Sequence, residues 1–395
     1  MNKNALNKIL FSAVIVLYWF SLYTYVPILA PFAESIGASH KVVGLILGSY
    51  GFTQVLLRLP LGILSDALGR RKIFVISGLL FSLSSSLGMW YYSSPLMLLI
   101  FRGLAGVAAT TWVCYTVLFS RFFAEQDSVK AIGYINALNF LGQLTALLAG
   151  GTIAQYFGQR ATFIIGACAG AVGFLLGLAV TDNREISEQR ITVKELLNVV
   201  KEKTLLSVSI LAILVQFIIF SNTFGFTPAF AEKIGANDFQ LGLLSAAFLL
   251  PGIITSALSS TVFERFLGER NCISSGFLAL AVYSFATPFC TSMGGLMFTQ
   301  AIGGLGWGLT FPRLMGLSIK TVEDNKRATA MGFFQGSYGL GIFIGPVLVG
   351  LISDSWGLKM GYLFAASLGV IGIICSRMMS EESSQTFREA NSKNN

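Results

Sequence analysis

Residues 32–38 read Phe-Ala-Glu-Ser-Ile-Gly-Ala, and residues 230–236 read Phe-Ala-Glu-Lys-Ile-Gly-Ala, 198 positions later. The repetition extends well beyond this heptapeptide. Gly133, Gly142, Gly151 and Gly158 return as Gly332, Gly341, Gly350 and Gly357, at an offset of 199. Met97, Gly103, Gly106 and Thr110 return as Met297, Gly303, Gly306 and Thr310, at an offset of 200. The chain is therefore two halves of one plan. In membrane proteins, duplicated halves enclose a substrate path at their interface, because alternating access needs two bodies that rock about one site.

Composition makes this a membrane protein. Hydrophobic residues are 54% of 395 and charged residues 12%, where a soluble domain carries about 25% charge. Mean hydropathy is +0.71. Twelve apolar stretches reach the ~20 residues that cross ~30 Å of hydrocarbon. They run over 9–31, 42–63, 73–92, 95–118, 131–154, 161–181, 205–228, 241–262, 273–291, 294–317, 330–352 and 361–378. The expected fold is an all-α membrane protein of twelve transmembrane helices in two six-helix pseudo-symmetric bundles. The first bundle takes residues 1–181 and the second 205–379, with a linker at 182–204 and a polar cytoplasmic tail at 380–395. In the linker, Thr192 and Glu195 have capping-box spacing. Val193, Leu196, Leu197 and Val200 share one helical face, which predicts a short amphipathic helix.

Topology follows from the bases. With the N-terminus inside, inner loops and tails carry twenty Lys and Arg and outer loops only Lys41, Arg160, Lys233 and Lys359. This positive-inside bias puts both termini in the cytoplasm, as in an inner-membrane protein. It also accounts for an isoelectric point near 9.3 without nucleic acid, because the charge is spread over short loops facing anionic lipid. The first apolar run exceeds the 7–15 residues of a signal-peptide core, so it is expected to stay. Cys114, Cys168, Cys272, Cys290 and Cys375 show no metal spacing and read as small core residues. The single histidine, His40, falls in an outer loop. No nucleophile elbow or phosphate loop is present, so neither an enzyme nor a cofactor is expected.

After the second stretch, residues 62–72 read Gly-Ile-Leu-Ser-Asp-Ala-Leu-Gly-Arg-Arg-Lys. Gly62 leaves room for a close helix, and Gly69 permits a tight turn. Asp66 is a lone carboxylate among Arg70, Arg71 and Lys72. Its natural partners are those bases or the N-terminal end of a helix, where the dipole favours an anion. The stretch resembles the signature loop of the major facilitator superfamily, with Gly62, Asp66, Gly69, Arg70 and Arg71 matching and Ala67 standing where the family has a base. Arg102 followed by Gly106 is similar to the family's fourth-span motif, whose Arg is associated with proton coupling. The resemblance covers residues 8–380. It implies a secondary transporter in which the loop latches the cytoplasmic gate against the start of the eleventh span. The corresponding loop of the second half has Gly268 opposite Gly69 but Arg265 in place of the Asp. The family's drug–proton antiporters carry Gly-Pro-x-x-Gly-Gly in span five. Here Ala146 and Leu147 replace the Gly-Pro, while Gly345-Pro346 stands in span eleven.

The spans contain three ionisable residues away from their ends, Arg58, Arg102 and Arg313. An intramembrane charge is functional by default. Arg58 is expected to snorkel to the headgroups; Arg313 is balanced between the two readings. Arg102 lies too deep for that and is expected to serve coupling or substrate attraction. Asn136, Asn139 and Gln143 share one helical face, and Asn136 and Asn139 map onto Gln335 and Tyr338 of the second half. With Gln216, Asn222 and Gln300, and with Tyr23, Trp112, Tyr115, Phe220, Phe224, Trp307 and Phe311, they predict a roomy amphipathic pocket. Gly341, Gly345 and Pro346 are expected to pack helices. These residues predict a monomeric carrier that exports an amphipathic organic compound in exchange for protons. Exchange or uptake of a small anionic or zwitterionic metabolite is the first rival, and a non-transporting sensor the second.

Overall fold

The computed structural model describes residues 3–123, 128–182, 202–320, 322 and 327–378. The predicted linker helix and the tail from Ser380 lie outside the described residues. Among the described residues there are helices and no strands. Span one is α1 (Lys3–Tyr23) and α2 (Val26–Ser35); spans two and three are α3 (His40–Leu68) and α4 (Arg71–Tyr91). Span four is α5 (Pro95–Thr110) and α6 (Trp112–Ser120); spans five and six are α7 (Ser128–Phe157) and α8 (Gln159–Ala179). Span seven is α9 (Lys203–Ser221), a π turn (Asn222–Phe226) and α10 (Thr227–Lys233). Span eight is α11 (Asp238–Leu258), continued by a second π turn (Ser259–Phe263) and α12 (Glu264–Leu267). Spans nine to twelve are α13 (Glu269–Ala286), α14 (Met293–Lys320), α15 (Arg327–Trp356) and α16 (Leu358–Met378).

Eleven of these spans are long and apolar enough to cross a membrane. The twelfth, α14, is the 28-residue tenth span; seven glycines, Gln300 and Arg313 dilute its apolarity. A 21-residue helix such as α4 is about 31 Å long at 1.5 Å per residue, which matches the hydrocarbon thickness. Leucines and isoleucines such as Leu56, Ile63, Leu175 and Ile254 cover the outside of the bundle, where the solvent is lipid. Spans one and seven both break at mid-length and resume just before a proline, Pro27 and Pro228. Proline cannot donate to the helical ladder, and just before each break a hydroxyl bonds back to its own helix. Thr24 Oγ1 takes the Phe20 carbonyl at 2.5 Å, and Ser221 Oγ takes that of Phe217 at 2.7 Å.

The halves meet along two seams. α3 runs along α15, and α7 along α11. At the end away from the basic loops the seams close backbone to backbone. A Cβ on Gly44 would land on the Pro346 carbonyl, and one on Gly350 within 3.1 Å of the Gly44 Cα. Gly151 and Gly242 meet in the same way, with a Cβ on either about 3 Å from the other's backbone. Towards the basic end the seams part. Cβ atoms on Gly62, Gly133, Gly332 and Gly336 would meet nothing within 4 Å. The molecule is a pair of bodies closed at one end and open at the other.

Candidate functional site

The parted seams lead to a chain of aromatic rings that runs between the two bodies. Trp112 meets Trp19 at 5.0 Å, and Trp19 meets Tyr23 at 5.6 Å. Tyr23 crosses to Phe224 of the second half at 5.9 Å. The chain continues through Phe248 and Trp307 to Phe311 and Tyr338. Two further contacts bridge the halves, Tyr50 stacked on Phe220 at 6.2 Å and Phe140 edge-on to Trp307 at 5.9 Å. Such pairs add about 0.5–1.5 kcal/mol each beyond burial.

Amides punctuate this chain. Asn136 and Asn139 are half-buried on α7, and Gln143 Nε2 donates to Asn139 Oδ1 at 2.5 Å. Gln335 and Tyr338 are half-buried on α15, and Gln216 is buried on α9. Three predicted residues stand behind this chain. Tyr115 is fully buried and donates to the Val75 carbonyl at 3.2 Å. Asn222 sits in the π turn of span seven, wholly buried, and donates to Ser284 Oγ at 2.9 Å. Gln300 is also enclosed, its Oε1 accepting from Thr223 at 3.0 Å. These groups lie in the interior of each bundle. Their helical positions face a neighbouring helix, a distinction that period alone does not make.

Arg102 is 4% exposed. Its guanidinium carbon lies 4.2 Å from the centre of the Tyr50 ring, and Nη1 donates to the Tyr25 hydroxyl at 3.2 Å. Gly106 makes this possible: a Cβ there would collide with Thr53 Oγ1 and the Tyr50 carbonyl, so α5 and α3 approach closely. Thr53 Oγ1 donates across that contact to the Gly103 carbonyl at 2.9 Å. Arg58 does not snorkel. It is 6% exposed and reaches across the seam, Nη1 donating to the Tyr338 hydroxyl at 3.0 Å and to the Gln335 carbonyl at 3.2 Å. It sits where α3 and α15 begin to part. The sequence places it near a span end but does not reveal a partner on the other half.

Arg313 pairs with Glu264 at 3.3 Å and donates to the Ser259 carbonyl, which also accepts the Glu264 amide in the second π turn. A crevice of about 310 Å³ lies beside it, lined also by Glu269 and Lys320, which pair at 2.8 Å. Thus the second half has ion pairs at this level although Arg265 replaces the expected Asp. In the first half, α3 ends at Gly69, whose φ of +64° makes the predicted turn. Asp66 lies in the last turn of α3, and its side chain is outside the described residues. Arg70 is exposed; Arg71 donates to Ser65 Oγ. Arg121 pairs with Asp182 at 3.0 Å, and the Lys72 amide donates to the same carboxylate at 2.9 Å. Gly341 and Gly345 pack against α9 at Ile213 and Phe217, and the Pro346 carbonyl receives Gly44.

At the closed end, the repeated heptapeptide meets itself. Lys233, which stands where the first copy has Ser35, reaches Glu34 at 3.4 Å and His40 Nε2 at 3.0 Å. His40 lies 3.5 Å from the same carboxylate. Sequence reading left His40 without a partner, because the contact joins loops almost two hundred residues apart. Of the cysteines, Cys168 is exposed on the lipid side of α8, unlike the core position expected. Among the described residues no group of His, Cys, Asp or Glu is arranged to hold a metal.

Comparison with known proteins fits this geometry. A profile described as the Major Facilitator Superfamily matches residues 11–232 and 208–394. An uncharacterised MFS-type transporter of Methanocaldococcus jannaschii is 24% identical over 363 residues, covering 88% of this chain and 92% of its own. The quinolone resistance protein NorA of Staphylococcus aureus is 28% identical over 149 residues, 38% of each chain. Among solved structures, a mutant of the nucleoside transporter NupG superposes with a TM-score of 0.80 at 15% identity, covering 95% of this chain and 100% of that one. A bacterial homologue of the human lysosomal transporter Spinster, inward-facing and unoccupied, gives 0.77 at 15% identity, over 95% and 98% of the two chains. At these identities the structural likenesses concern the fold alone.

Proposed function

The chain belongs to the major facilitator superfamily, and from that premise we propose that it is an inner-membrane carrier exporting an amphipathic organic compound in exchange for protons. One observation carries this reading. Two bodies close backbone to backbone at one end and part at the other, with a chain of aromatic rings and amides between them. With the basic loops and both termini in the cytoplasm, the space between the bodies opens inward, ready to load from the cell interior. Its wall suits a compound with a flat apolar body and a few polar groups. The name of the staphylococcal relative supports a drug-like cargo.

Mechanism follows from the two-body arrangement. Loading from the cytoplasm is followed by rocking, which closes the inner ends and opens the outer seam. In the proposed cycle, the loop bearing Asp66 holds the closed inner gate by presenting its carboxylate to the N-terminal end of α15. Such a contact is worth up to about 2 kcal/mol. Arg102, deep in span four without a carboxylate beside it, is the proposed coupling group. Its charge is fixed, so it acts by favouring an anion nearby and disfavouring a second positive charge.

A second reading, exchange or uptake of a small anionic or zwitterionic metabolite, is favoured by the burial of Arg58 and Arg102. The two separate in inside-out vesicles holding an acid interior. Export predicts that an amphipathic drug collapses the pH gradient, and that Asp66→Asn, inserted at normal levels, slows the collapse by up to about thirtyfold. Silence to drugs with a response to small organic acids would replace export by the metabolite reading.

A further inference from the structure

We infer that Arg58, with Arg102 as a second buried positive charge packed farther along α3, forms an anion site, and that the compound carried is an aromatic organic anion such as a ring-bearing carboxylate. The inference rests on the reading of this space as a carrier's substrate site. It adds the charge and shape of the cargo.

The argument starts from an imbalance of charge. No Asp or Glu lies within the spans away from their ends. Glu34, Glu264 and Glu269 are held at the two ends by Lys233, Arg313 and Lys320. The middle of the molecule is left with two buried guanidinium groups and no negative group to balance them. A central arginine is costly even by the mildest measure. Stacking on tyrosine rings offsets part of that.

Hydrogen bonding is also incomplete. Each guanidinium offers five N–H donors. Among the described residues, Arg102 makes a single hydrogen bond, to Tyr25, and Arg58 makes two, both through Nη1. The Nε of each is buried without a partner. Arg102 lies over the Tyr50 ring at 4.2 Å, and Arg58 beside that of Tyr338 at 5.5 Å. An unpaired donor in a buried, positively charged place is a vacancy for an acceptor that brings its own negative charge.

Shape selects among anions. An inorganic anion wants a shell of donors, whereas the rest of this wall is ring faces. Tyr50 itself is stacked parallel on Phe220, with Phe224 and Tyr23 next in line. A carboxylate reaching the guanidinium groups would bring its attached ring against these faces. Arg58 also bonds both sides of the seam at the fork, so a bound carboxylate competes for the donors that hold α3 to α15 there. Cargo charge and gate are thereby linked. Export of an anion is further assisted by an inside-negative membrane.

The test uses the full chain in lipid nanodiscs, titrated calorimetrically with 2-naphthoate, 2-naphthamide and 2-naphthylmethylammonium, which share one ring system and differ in charge. Naphthoate is expected to bind at least tenfold tighter than the other two. Arg58→Gln should weaken naphthoate at least tenfold and leave naphthamide within twofold, and Arg58→Lys should recover part of the loss. Equal binding of all three, binding of none, or an Arg58→Gln effect that weakens naphthoate and naphthamide alike would overturn the anion site. Proteoliposomes separate this from the export reading. Naphthoate bound with the predicted charge preference but never moved against protons would refute proton-coupled export and leave the anion site standing.

Discussion

Two glycines of one loop have opposite duties at the residue scale. Gly69 has φ +64° and ends α3, so an alanine there is strained, at about 1–2 kcal/mol. Gly62 is helical, and a Cβ on it meets nothing within 4 Å. We expect Gly69→Ala to lower the thermal unfolding temperature in detergent. Gly62→Val should leave that temperature unchanged yet slow transport, because the missing side chain is needed only once the inner ends close. Unimpaired transport by Gly62→Val would remove it from the gate. Gly69 was legible from its place before Arg70 and Arg71. The partners of Arg58 and His40 were not, because both contacts cross between halves and no local pattern encodes such a meeting.

Seams and breaks decide function at the scale of elements. Helix positions followed from apolar runs, and eleven of the twelve spans meet the length and apolarity of a crossing helix. The breaks in spans one and seven were less legible, since a proline in a membrane helix marks a kink without saying how the preceding carbonyls are satisfied. Two of the matched glycines, Gly151 and Gly350, lie in closed contacts of the seams, a role that the repeat alone did not assign. Overpacking such a contact costs roughly 1–3 kcal/mol. Gly44→Val should therefore disfavour the outer-closed state by one to two orders of magnitude and drive the carrier outward-open. A spin-label distance across the outer end that stays short in Gly44→Val would show that the seam is not the gate.

For the whole molecule, duplication and composition sufficed to predict two six-helix bodies, because lipid permits few folds and a repeat permits fewer. The space between the bodies was legible only in part. Tyr115, Asn222 and Gln300 were expected there and instead lie in the bundle interiors, since a polar or aromatic residue in a span serves equally well in either place. The central claim is that two rigid halves exchange access about this space. It is tested most directly by paired spin labels across each end, Tyr156 with Trp356 at the outer end and Leu68 with Leu267 at the inner, all exposed positions. Distances are measured with and without a transported compound under a pH gradient. The account predicts that the outer pair lengthens while the inner pair shortens. Distances that move together, or that stay fixed during active transport, would contradict it.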